Sequence, residues 1–176
     1  IPLSWAQERL WFLAQLEGPS GTYNIPVAIK LSGNLDKNAL QQSLREIVRR
    51  HEVLRTCFPT SEGQPRQVID TEATINIKEI DLQQLETTER ETVLSQQVNQ
   101  EAITPFDLER GPLIRASLWQ LSETEYVLML NMHHIISDGW STRIFTQEIS
   151  ALYQAFATGE ASPLSTITNP VCRLYS

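Results

Sequence analysis

His133 and His134 stand side by side after the apolar run Met129-Leu130-Asn131-Met132, and Ile135-Ile136-Ser137-Asp138-Gly139-Trp140-Ser141 follows them. An imidazole, with an ordinary pKa of about 6.5, takes or gives up a proton close to neutral pH, so either ring could activate or position a nucleophilic amine or hydroxyl. Asp138, four residues beyond His134, allows two arrangements: its carboxylate could orient an imidazole directly, or an arginine could hold it away from the site and thereby fix the turn. On chemistry alone a plainer reading stands beside these, in which the histidines are strand-end residues with satisfied hydrogen bonds and Asp138-Gly139 is an ordinary turn. No metal site is expected, because neighbouring strand residues point to opposite faces and few further ligands are in sight. The chain also lacks a GxSxG elbow and a glycine-rich phosphate loop, which leaves hydrolase and nucleotide-binding readings with little support.

The pattern around the pair predicts the elements that must hold it. Ser4, Glu8 and the apolar positions Trp5, Leu10, Trp11, Leu13 and Leu16 predict a short amphipathic helix that stops near Gly18-Pro19. Tyr23 to Leu31 suits a strand, and Asp36 caps a helix running to about Arg50, with Leu40, Leu44, Ile47 and Val48 on one face. Val53 to Phe58, Arg66 to Ile69 and Ile75 to Ile80 read as strands, with Pro59 to Pro65 as a hairpin-like connection. A helix over Glu86 to Ala102, strands over Leu113 to Leu121 and Tyr126 to Met132, and a last helix over Thr142 to Ala157 complete the series. Helices and strands mix without regular βαβ alternation, which predicts an α+β layer architecture: a mixed or mostly antiparallel sheet covered by helices.

At 176 residues the chain suffices for one domain or one large lobe and is too short for two independent ones. A formal charge of −7 opposes the basic footprint that phosphate backbones demand, so nucleic acid is not an expected partner. No stretch approaches the roughly 20 apolar residues of a membrane span. Cys57 and Cys172 lack zinc or disulfide spacing, and a cytoplasmic setting is expected. Ile1-Pro2-Leu3-Ser4 carries no initiator Met or leader and reads as the interior of a longer polypeptide.

Three segments together resemble one family. His133-His134-Ile135-Ile136-Ser137-Asp138-Gly139 is similar to the HHxxxDG motif of the condensation domains of nonribosomal peptide synthetases. Arg50-His51-Glu52-Val53-Leu54-Arg55-Thr56-Cys57-Phe58 resembles their RHExLRTxF segment, and Ser4-Trp5-Ala6-Gln7-Glu8-Arg9-Leu10-Trp11-Phe12-Leu13 their opening SxAQxRLWFL motif. The likeness covers residues 1 to about 160, and Tyr23-Asn24-Ile25-Pro26 is in keeping with it. It fades over the remainder, 161 to 176, which reads as a linker or divergent tail.

The resemblance implies a chloramphenicol-acetyltransferase-like fold of two lobes with the reaction centre between them, this chain supplying the first lobe. It implies amide formation between a donor and an acceptor thioester, each delivered by a carrier protein on a 4′-phosphopantetheine arm, with no cofactor held by the chain itself. His134 takes the catalytic position, as a general base or as a group that orients the amine and stabilises charge. His133 and Gly139 support the loop, and Asp138 pairs with an arginine, for which Arg55 is the candidate. The implied partners are the two carrier proteins, the second lobe and an adjacent adenylation domain. The form HHIISDGWS resembles the subtype that joins two L residues, and heterocyclisation relatives, which carry aspartates in place of the histidines, do not fit. Two other classes are weighed against this: a noncatalytic carrier-docking lobe or remnant, and an acyl-CoA-dependent acyltransferase of the same superfamily.

Overall fold

The computed structural model describes residues 2–137 and 142–165. Helix α1 spans Trp5–Glu17 and opens on a capping box, in which the Ser4 hydroxyl accepts from the Gln7 N–H while the Gln7 side chain accepts from the Ser4 N–H. Strand β1 is Asn24–Ser32, and α2 is Lys37–Arg50, its first turn closed by the Asp36 carboxylate, which accepts from the Ala39 N–H at 2.9 Å. A 3-10 turn over Glu52–Arg55 leads into short strands β2 (Thr56–Cys57), β3 (Thr60–Ser61), β4 (Gln64–Pro65) and β5 (Val68–Ile69). The expected strand over Val53 to Phe58 is thus corrected: its first half is helical. Leu54 is drawn into the core there by the Leu54 N–H to His51 carbonyl bond, a local hydrogen bond that β-branched composition does not anticipate. The expected hairpin at Pro59 to Pro65 is present as the β3–β4 pair, tipped by Glu62 and Gly63, both at positive φ.

Strand β6 (Ile77–Asp81), helix α3 (Thr87–Ile103), strand β7 (Ile114–Gln120), strand β8 (Glu125–His133) and helix α4 (Thr142–Ala157) follow. One four-stranded sheet, in the order β1-β8-β7-β6, organises these elements. Its pairs are antiparallel except β6 with β7, which α3 connects as a crossover. The sheet is therefore mixed and the fold α+β.

Alternation along the strands sorts the two faces. Leu118, Tyr126 and Leu128 pack with Leu40 of α2 and with Ile149 and Tyr153 of α4, whereas Trp119, Val127 and Met129 pack with Val93, Leu94, Val98 and Ala102 of α3. Trp119 also donates from Nε1 to Gln97 of α3 at 2.7 Å. Helix α1 lies beside the end of β8 through Leu10, Trp11 and Ala14, while Trp5, one of the apolar positions of the expected amphipathic helix, is 91% exposed. Phe12 and Leu16 share its exposed stripe.

The loop between α1 and β1 is held against the last turn of α3. A Cβ on Gly21 would lie 2.3 Å from the Ile103 carbonyl oxygen and 2.6 Å from its Cα, so only glycine lets the two backbones approach this closely. Gly21→Ala is expected to destabilise the chain by about 1–3 kcal/mol, the usual range for overpacking against backbone, seen as a lower urea midpoint at unchanged slope.

Candidate active site

Strand β8 ends at His133, opposite Asn24 of β1. The pairing continues one residue further, because the His134 N–H donates to the Tyr23 carbonyl at 2.8 Å, and a 3-10 turn over His134–Ile136 then carries the chain out of the sheet. The Ile135 and Ile136 side chains are fully buried in the same core as Phe145 and Leu152 of α4, and this anchors the turn from below.

The two imidazoles receive opposite environments. His133 is 3% exposed, between the rings of Tyr23 and Phe106 at centroid distances of 6.2 and 6.3 Å. Its Nδ1 accepts from the Ile135 N–H at 3.1 Å, so the neutral ring carries its proton on Nε2. Burial, aided by the charge of neighbouring His134, pushes its pKa down to about 4. It is a backbone brace that stays neutral at physiological pH.

His134 is exposed. The Ser137 hydroxyl donates to the His134 carbonyl at 2.8 Å and also lies 3.3 Å from its Nδ1. A hydroxyl has one proton to give, so with that proton on the carbonyl the Ser137 oxygen accepts the Nδ1–H. In that arrangement the neutral ring keeps its lone pair on Nε2, the form in which a histidine removes a proton from an incoming nucleophile. The residue pattern does not single out Ser137, although its three-residue spacing from His134 is that of a 3-10 turn.

Further side chains that sequence reasoning missed surround the brace. Arg115 of β7 donates to Glu101 at 2.6 Å, to the Thr104 carbonyl at 2.7 Å and to the Pro105 carbonyl at 3.1 Å, and its guanidinium stacks 3.8 Å over Phe106. Asn24 and Asn131 donate to the carbonyls of Ala102, Thr104 and Glu101, which closes the end of α3 beside His133.

Arg55 is placed as a clamp on a helix end: it donates to the carbonyls of Val48 and Arg49 in the last turn of α2 and to that of Asp70, at 3.1–3.2 Å. Asp138 and Gly139 lie outside the described residues, as do Trp140 and Cys172, so the structure brings together His133, His134 and Ser137 and leaves the Arg55–Asp138 pair undescribed. Among the described residues no helix is long and apolar enough to cross a membrane.

Comparison with known proteins places the chain in one family. A family model described as "Condensation domain" matches residues 1–173. The chain is 48% identical over 165 residues to malpinin synthetase of Mortierella alpina and 47% identical over 168 residues to a linear gramicidin synthase of Brevibacillus parabrevis. These matches take in 94% and 96% of the chain but only 2% and 3% of the synthetases. Among solved structures it is similar to the X-domain from teicoplanin biosynthesis in its complex with OxyB, with a TM-score of 0.84 at 30% identity over 97% of the chain. It is also similar to the first condensation domain of the CDA synthetase, with a TM-score of 0.81 at 27% identity over 93% of the chain. The chain spans 36% and 42% of those two proteins.

The depressed pKa of His133 has a measurable consequence. Between about pH 6.5, where the unfolded ring titrates, and about 4, where the folded one does, the unfolded state binds more protons, so stability falls as pH is lowered through this window. The loss accumulates to on the order of 3 kcal/mol. In His133→Asn the amide oxygen can still accept from Ile135 N–H but does not titrate. Urea unfolding at pH 7 and at pH 4 is expected to show a smaller loss in this variant than in the wild type, by roughly that amount.

Proposed function

The chain belongs to the condensation-domain family, and from that premise we propose that residues 1–160 are the histidine-bearing first lobe of a domain that forms amide bonds in nonribosomal peptide synthesis. The observation that carries the reading is the exposed His134 ring, whose Nδ1 lies 3.3 Å from the Ser137 hydroxyl, so that with the proton on Nδ1 the basic nitrogen is Nε2. In the proposed reaction the acceptor's α-amine attacks the carbonyl carbon of the donor thioester. A C–N bond forms, the C–S bond breaks, and the proton lost by nitrogen leaves with the thiol by way of His134 Nε2. Both substrates arrive on the 4′-phosphopantetheine arms of carrier proteins, within a cytoplasmic synthetase that also contains an adenylation domain and the second lobe. Asp138 and Gly139 shape the turn after His134, with Arg55 as the partner proposed for Asp138 and His133 as the brace beneath it.

A docking lobe without chemistry is the second reading, favoured by one observation: the teicoplanin X-domain, which this chain resembles, was solved bound to another protein. An acyl-CoA-dependent acyltransferase is the third.

The test joins this lobe to the second lobe of a related condensation domain, supplies both loaded carriers and follows the product by mass spectrometry. His134→Ala is expected to lower amide formation by about 10²–10⁴-fold, the usual contribution of a general base, without affecting carrier loading. Ser137→Ala, which releases the tautomer but keeps the ring, is expected to cost less, about tenfold. Wild-type rates in His134→Ala would sink the catalytic assignment. Loaded carriers with no peptide from the wild type would favour docking, and preference for a free acyl-CoA donor would favour the acyltransferase.

A further inference from the structure

His51 and Glu148 meet across the molecule, 97 positions apart in sequence, with Nε2 to Oε2 at 2.6 Å. Both side chains are nearly buried, 13% and 14% exposed. His51 ends α2, where its N–H donates to the Ile47 carbonyl, and it begins the following 3-10 turn by accepting from the Leu54 N–H. Glu148 lies on α4, the helix that follows the turn at His134. Around this contact the two helices share an apolar cluster in which Leu44, Ile47 and Val48 pack with Phe145 and Leu152, and such surfaces tolerate small slides and rotations. A charge-assisted hydrogen bond has a direction and a length, so it selects one rotation and one axial position for α4.

The consequence reaches the reactive ring through what α4 adjoins. Along the chain, only residues 137–141 separate the 3-10 turn at the end of β8 from the start of α4. Ile135 and Ile136, which follow His134 directly, sit in the same cluster as Phe145 and Leu152. Removing two ionisable groups from water carries a large desolvation cost, and well-packed apolar side chains could join the helices at no loss of stability. What such side chains would not supply is the fixed position.

We infer that the His51–Glu148 pair is a positioning strut that sets α4, and through it the turn bearing His134, in reactive geometry. The inference rests on the reading of His134 under the proposed function. Neither residue touches the reacting atoms; both act through α4.

Two arms test it. In the joined domain with both carriers loaded, Glu148→Leu is expected to lower kcat about tenfold with KM for each carrier unchanged. Glu148→Gln, which keeps a hydrogen-bond acceptor, restores much of that loss. His51→Gln combined with Glu148→Leu costs little more than the larger single effect, as for two halves of one contact. In the 176-residue chain by itself, the ring 15N signals of His134 are expected to shift in Glu148→Leu relative to wild type while the signals of the fold persist, a readout that needs no turnover. Folded variants with wild-type kcat, additive effects of the two substitutions, or His134 signals that do not move would overturn the strut. Should Glu148→Leu fail to fold, Glu148→Gln carries both readouts: unchanged His134 signals and unchanged kcat would again overturn it. If the wild type makes no amide at all, the proposed function fails, and the NMR arm still decides whether the pair positions the ring.

Discussion

The pairing of β8 on both sides and its burial on both faces constrain everything around it. From Tyr126 to His133 each residue is buried, and the strand is hydrogen-bonded to β1 on one edge and β7 on the other. A strand in that position can neither slip by one residue nor twist out, because either change would exchange the residues that face α3 for those that face α2 and α4. Its end is correspondingly fixed. The last rung places His133 against Asn24, the His134 N–H to Tyr23 carbonyl bond extends the pairing by one residue, and the chain leaves the sheet immediately afterwards. The position of the candidate reactive ring is a by-product of sheet register.

Two adjacent imidazoles at such an end divide the work because the strand period of two sends them to different surroundings. His133 continues the α3-facing series of Val127, Met129 and Asn131, loses its hydration, and serves as an acceptor for the Ile135 N–H in its neutral form. His134 falls in the turn and is exposed. The two Nδ1 atoms accordingly have different partners: one accepts from the Ile135 N–H, and the other lies against the Ser137 hydroxyl. The buried ring braces the turn, and the reactive role that the family motif implies for His134 is the one proposed for the exposed ring.

The surroundings extend the same economy. Arg115, Asn24 and Asn131 absorb the carbonyls that the end of α3 leaves open, and so hold Phe106 against His133. On the other face, the apolar contact of α2 with α4 supplies stability and the His51–Glu148 pair supplies direction. One polar network therefore lies on each side of β8, and both converge on the residues at its end.

Much of this is legible in the residues. Helices α1 to α4 fall within a few positions of their predicted bounds because Asp36, the Gly18-Pro19 stop and the apolar periodicities are local signals, and β1, β7 and β8 follow from apolar runs between turns. The motif segments around His51 and His134 point to the family without any knowledge of the fold. The 3-10 turn at Glu52–Arg55 is not legible, since Val53, Thr56 and Phe58 carry strand propensity that a local hydrogen bond overrides over the first of these residues. Nor is the exposure of Trp5, which depends on what lies across from α1 and not on the helix itself. Sequence by itself determined the four long helices, the main strands and the family, because those rest on residue type and near-neighbour spacing. Only the tertiary structure decided which histidine is buried, what each Nδ1 faces, and that His51 meets Glu148. Those outcomes depend on burial and on contacts between residues distant in sequence, and a linear pattern encodes neither.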